Sequence, residues 1–182
     1  KLYEIGETYD QSFSILVALV LKTSFLIMIR SAQEAISVAD EGICYARGMD
    51  NIIYEIMLLG HKAEAQQLAG DNDGAQDSLL QTSELHKKQP FIPPYYYVPY
   101  LASRFSVDIE QIKQAIRLSN SENLARLRNR AYKTGKTALR NSRKYAPYRT
   151  KIFRLLGEYF WQVGKQGKAF KWWKKAIREG ER

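Results

Sequence analysis

The residues of this chain that could do chemistry are few and poorly spaced for it. Gly135-Lys136-Thr137 has the ending of a phosphate-binding loop, but that loop needs a glycine five residues before its Gly-Lys junction, where Arg130 stands within a helical pattern. Asp71-Asn72-Asp73-Gly74 has the opening of a calcium loop, yet its glycine comes two places early and Thr82 occupies the terminal glutamate's place. A turn with a helix N-cap is the better reading. His61 and His86 are 25 residues apart with no Cys or carboxylate at ligand spacing, so surface or groove positions are expected rather than a metal site. Cys44 lies in a helical pattern with no base nearby and is expected to be a small buried thiol. No carboxylate pair or Ser/His/Asp pattern stands out. The expectation is a chain without catalysis, cofactor or metal.

Binding chemistry is better represented. Residues 121–182 hold 18 Lys and Arg against four acids, a net +14, while residues 1–120 hold ten against 15, a net −5. On one predicted helix Arg126, Arg130, Lys133, Arg140 and Lys144 fall within about 80° of one another, opposite Leu124, Leu127, Ala131, Ala138 and Leu139. Lys168, Lys171, Lys175 and Arg178 make a second stripe behind Trp173 and Ile177. Solvated outer faces account for both stripes. An acidic protein surface, an acidic segment of the same parent protein, or nucleic acid would use them. The cluster Tyr95-Tyr96-Tyr97…Tyr100 is either packing at a helix junction or an aromatic contact surface.

These groups are carried by helices. The chain has 182 residues, 45% of them hydrophobic, with a mean hydropathy of −0.41, which excludes a disordered chain and a polytopic membrane protein. A single cysteine excludes a disulfide framework and makes the cytoplasm the natural setting. The absence of an initiator Met and a start inside a helical pattern lead us to expect a segment of a longer protein. Helical periodicity predicts eight helices, over about 9–29, 31–47, 50–69, 75–88, 95–118, 121–143, 148–163 and 166–180. Ser31-x-x-Glu34 reads as a capping box, Gly48 as a helix stop, and residues 70–74 and 119–121 as turns. Gln89-Pro90-Phe91-Ile92-Pro93-Pro94 is the one linker, dividing residues 1–89 from 90–182. The apolar run from Tyr9 to Ile29 has Lys22 and Thr23 at its midpoint, which disfavours a membrane span. It reads as a helix covered on two sides: by the 31–47 helix, and by residues 1–8, a preceding repeat or a second copy of the chain.

The last two helices carry a repeat pattern. Phe153-x-x-Leu156-Gly157-x-x-Phe160 precedes Gly164 at a turn, followed by Ala169-x-x-x-Trp173-x-x-Ala176. Small residues would let the helices approach while the aromatics fill the space between. Fainter copies of the second-helix pattern start at Ala32, Ala75 and Ala131. The pattern resembles the tetratricopeptide (TPR) repeat. With Asn141–Thr150, the run Leu155–Trp161, Pro93–Leu101 and Lys171–Lys175, the chain is also similar to the degenerate helical-repeat region of large multidomain signalling proteins. Those proteins carry AAA-type ATPase modules beside nucleotide-cyclase or kinase modules. The resemblance implies an all-α, right-handed superhelical solenoid of about eight antiparallel helices, one array across both halves. It also implies a groove lined by first helices, onto which Lys151, Arg154, Glu158, Trp161 and Gln162 are spaced. Glu158 stands where a carboxylate clamp wants an asparagine or a base, so binding of chaperone tails is not expected. The expected function is a non-catalytic scaffold in a signalling protein, holding a peptide or a neighbouring domain. Polyanion binding through Arg126, Arg130, Lys133, Arg140, Lys168, Lys171 and Lys175, or a purely structural spacer, are the alternatives.

Overall fold

The structure, a computed structural model, describes residues 1–9, 11–119 and 121–181, without the side chains of Leu2 and Ser121. Among the described residues the chain is all-helical. It forms α1 (Leu2–Thr8), α2 (Ser12–Met28), α3 (Ala32–Gly48), α4 (Ile52–Ala69), α5 (Asn72–Lys88), α6 (Pro94–Arg117), α7 (Ser121–Asn141), α8 (Ala146–Gln162) and α9 (Gln166–Gly180). A 3-10 turn, Ser142–Lys144, links α7 to α8. The helix beyond the eight expected is α1; Tyr9 closes it, and α2 starts at Ser12. Asp10 and Asn120, expected in a helix and a turn, lie outside the described residues. No described helix is long and apolar enough to cross a membrane.

The chain divides into two compact units, Lys1–Tyr96 and Tyr97–Arg182. In the first, α2, α3, α4 and α5 each pack on the next, and α4 also touches α2. The joints share one chemistry. Arg30, Asp50 and Gly70, twenty residues apart, take left-handed backbone with φ of 63°, 50° and 83°. After each, the amide of Ser31, Asn51 or Asp71 donates back to the carbonyl of Leu26, Ala46 or Gln66, satisfying an orphaned end of the preceding helix. The same residues begin the next helix. Asn51 accepts from the Tyr54 amide at 3.3 Å and Asp71 from the Gly74 amide at 2.9 Å. Asp71 therefore starts α5 three residues ahead of the expected position. Ser31 departs from the expected capping box: its hydroxyl donates to the Glu34 carboxylate at 3.4 Å. α3 ends at Gly48 as expected, though the left-handed residue of that turn is Asp50.

The core of this unit runs through Leu16, Val20, Ile43, Met57, Leu58 and Leu59, with Ile15, Leu19, Leu26, Val38 and Ala65 in a second cluster. On α3 the stripe Ala35, Ala39, Gly42 and Ala46 is buried, and Gly42 sits against Leu58 and Leu19. This stripe lies one turn on from the pattern read at Ala32, which is half-buried. Two expectations are corrected on these helices. Cys44 is exposed, because it lies off that stripe. His61 is buried at 2% exposure, because it falls within the unbroken buried run Glu55–His61 of α4.

The second unit packs α8 on α7 and on α9. Phe105 of α6 is fully buried, worth about 2–3 kcal/mol, and lies against Gly135 of α7 and Tyr159 of α8. The Tyr159 hydroxyl donates to the Arg128 carbonyl at 3.1 Å. Asp108, with no exposed surface, is held by Arg130 at 2.9 Å and Arg104 at 3.4 Å, and accepts from the Thr134 hydroxyl at 2.9 Å. Burial pushes its carboxyl above the usual range against the pull of Arg104, Arg130 and the hydroxyl.

Candidate protein-binding surface

The α8–α9 hairpin is made by the residues that the repeat pattern singled out. Pro147 lies in the first turn of α8. Gly164, with φ of 76°, turns the chain, and the Lys165 amide donates to the Phe160 carbonyl at 2.8 Å. Ala169 and Ala176 are the buried residues of α9. A side chain on Gly157 would run into the Trp173 indole, so this glycine lets α9 come close. The Trp173 Nε1–H then reaches the Arg154 carbonyl at 3.2 Å.

Because α9 buries so little, the rest of it forms two adjoining surfaces. One is aromatic. Trp161, Phe170 and Trp173 meet pairwise at ring centroids 5.7–6.0 Å apart, and Phe170 meets both partners nearly edge-on. Trp161, Phe170 and Ile177 remain 43%, 53% and 61% exposed. The other surface is cationic. Lys168, Lys171, Lys174, Lys175 and Arg178 surround Trp172 in an open depression of about 370 Å³ with no carboxylate in its lining. Lys175 Nζ lies 4.5 Å from the Trp172 ring centroid, and Lys168 Nζ lies 5.7 Å from that of Phe160. Glu179, which could neutralise the cluster, is tied instead to Arg149 of α8. Such a surface can bury apolar side chains on the rings and pair anionic groups with the lysines.

The residues expected in a groove are divided. Glu158 points to α6, where it is held by Lys113, and Arg154 approaches it at 3.7 Å. Burial lowers the Lys113 ammonium, but hydrogen bonds to Glu110 and Glu158 outweigh that and raise it. Lys151 and Gln162 are half-buried, and Trp161 belongs to the aromatic surface with α9. The tyrosines also part. Tyr95 and Tyr96 sit 5.2 Å apart in the first unit, where Tyr54 and Phe13 extend the row at 5.1 and 5.5 Å. Burial, and then a hydrogen bond with Tyr96, pushes the Tyr54 phenol up to about 12. Tyr97 and Tyr100 stack in the second unit at 5.1 Å, and burial raises the Tyr97 phenol. On α7, Arg126, Lys133 and Arg140 are exposed as expected for a stripe, but Arg130 leaves it to bind Asp108 and Gln111. Lys168, Lys171 and Lys175 stay together.

Sequence reasoning missed Phe170 and Ile177 as surface residues. The spacing Phe170-x-x-Trp173-x-x-x-Ile177 is the signal that places them on one side of α9. Among the described residues no group of three His, Cys, Asp or Glu side chains could hold a metal ion. No family model, curated protein or solved structure matches the chain.

Proposed function

We propose that this chain is a non-catalytic, TPR-like scaffold whose hairpins stack as a right-handed solenoid and whose α8–α9 hairpin binds an acidic, amphipathic segment of protein. The observation that carries the reading is the pairing of an exposed aromatic ridge with a five-cation depression free of carboxylates. Interfaces gain most from buried aromatic anchors, and flanking charge sets orientation and encounter rate. The successive hairpins of the first unit and the close packing at Gly157 support the repeat reading. The hairpin period of that unit is about forty residues, against about 34 in the standard repeat.

All three tryptophans, Trp161, Trp172 and Trp173, lie on this hairpin, so intrinsic fluorescence reports on it directly. Titration with a helical peptide bearing leucines at i, i+3 and i+7 between glutamates should give a saturable change. Lys171→Glu with Lys175→Glu should weaken that binding by about tenfold or more. A peptide that leaves the fluorescence unchanged overturns the reading. The same depression favours polyanion binding as the second reading. It predicts that single-stranded RNA binds at low salt and is released steeply as salt rises.

A further inference from the structure

The chain carries a second uncovered apolar surface, in its other unit. On α2 the residues Leu21, Phe25 and Met28 recur at i, i+4 and i+7 and are 55%, 58% and 77% exposed, with Ile29 beside them. The short α1 packs on α2 at its other end, where Gly6 touches Ile15. Beside Leu21 a depression of about 530 Å³ opens between α1 and α2, lined in part by Tyr3, Glu4, Lys22 and Glu41. Lys22 is held by the Glu34 carboxylate at 3.9 Å. The unit around it is acidic: residues 1–96 carry seven Lys and Arg against 13 Asp and Glu, a net −6.

The α9 surface matches it in apolar spacing and differs from it in the sign of the net charge of its unit. Its apolar residues Phe170, Trp173 and Ile177 recur at i, i+3 and i+7, its border is Lys174 and Arg178, and residues 97–182 carry a net +15. The molecule already uses this kind of contact internally, where α3, the second helix of one hairpin, packs on α4, the first helix of the next. α9 is a second helix and α2 a first. We infer that α9 of one copy docks on the Leu21–Phe25–Met28 face of α2 in a second copy, so that chains associate head to tail. The two contact surfaces differ, so the association is heterologous and lengthens with concentration unless it closes into a ring. Salt weakens it, because the steering charges lie at the rim. This inference rests on the proposed binding role of the α8–α9 hairpin and names its partner, in which α2 supplies the apolar residues and Glu4, Glu34 and Glu41 of α1 and α3 supply the carboxylates beside them.

Light scattering after size exclusion, over about a hundredfold range of concentration, tests the inference with two variants at exposed positions. Phe25→Asp spoils the α2 face and Ile177→Asp spoils the α9 face, and far-UV circular dichroism checks that both fold. The wild-type chain should grow in mass with concentration, and each variant alone should stay at the mass of one chain. An equimolar mixture of the two should form a species of two chains and nothing larger, because one intact α9 face and one intact α2 face remain. A wild-type chain that is monomeric throughout, a mixture that stays monomeric, or association lost in only one of the variants overturns the inference. Phe25→Asp keeps α9 intact, so its titration with the acidic peptide separates the two readings. Binding there without self-association leaves the hairpin's role standing and removes only the second copy as its partner.

Discussion

The two units use the same part for opposite ends. In Lys1–Tyr96 the central helix α4 is buried along the unbroken run Glu55–His61, and its neighbour α3 meets it with the small-residue stripe Ala35, Ala39, Gly42 and Ala46. In Tyr97–Arg182 the helix α9 buries Ala169 and Ala176, and spends its aromatic and cationic residues on an open surface. A helix enclosed by neighbours needs small and aliphatic side chains for close packing. A helix with one covered side is free to carry tryptophan and lysine on the others. The sign of charge follows the same division, net −6 in the first unit and +15 in the second.

Among the described residues each unit also buries one carboxylate against arginine, and the largest expected effects separate the two. Asp108 has no exposed surface and two arginines, whereas Glu55 has one, the 54%-exposed Arg47 at 2.6 Å. Asp108→Ala should destabilise the second unit by about 3 kcal/mol, the low end for a broken buried pair, because Arg130 can recover water. Glu55→Ala should cost the first unit about 1.5 kcal/mol. Urea unfolding followed by tryptophan fluorescence reads the second unit, and hydrogen exchange reads the first. Equal losses would break the comparison. Asp108 also has a pH signature. Its carboxyl is raised by burial, so the native state keeps the proton to higher pH than the unfolded chain. Stability contributed at this site therefore falls as pH rises from the ordinary carboxylate value to the raised one. Asp108→Asn should remove that fall.

Glycine packing gives the next effect. Gly157→Ala would push its methyl into the Trp173 indole, and overpacking should cost the second unit about 1–2 kcal/mol net of the gain in helix propensity. Gly42→Ala meets the end of the flexible Leu58 side chain at 3.0 Å and Leu19 at 3.4 Å, so the same exchange in the first unit should change stability by less than about 0.5 kcal/mol. A large loss at Gly42 would mean that α3 and α4 are as tightly locked as α8 and α9. Thermal melts of the two variants decide it.

The smallest effects lie at the turns. Arg30 and Asp50 hold left-handed backbone that glycine adopts without strain, as at Gly70 and Gly164. Arg30→Gly should stabilise the first unit by about 0.5–1 kcal/mol, and Gly164→Ala should destabilise the second by about 1 kcal/mol. Shifts of the opposite sign in melting temperature would show that these turns are held by side-chain contacts and not by backbone conformation.

The sequence by itself determined the helices from α2 to α9, most of their ends and the packing of the last hairpin. Those depend on interactions within a few residues: periodicity, the left-handed residue at Gly70 or Gly164, and small residues at Gly157, Ala169 and Ala176. The cap at Asp71 was also legible, in the turn of residues 70–74, whereas Asp50 and Asn51 fall within the helical pattern over 50–69 and only the structure shows the turn and cap there. Tertiary structure decided which charges stay free. Arg130 and Glu158 sit in the same charge patterns as Lys133 and Arg154, yet one binds Asp108 and the other Lys113, both on a helix distant in sequence. Whether an ionic side chain faces solvent or a partner depends on what packs beside it, and no local spacing encodes that. The same holds for Cys44 and His61, one exposed and one buried against expectation. It holds as well for Leu21, Phe25 and Met28 of α2 and for Phe170 and Ile177 of α9, which look alike in sequence to residues of the core and yet stay exposed.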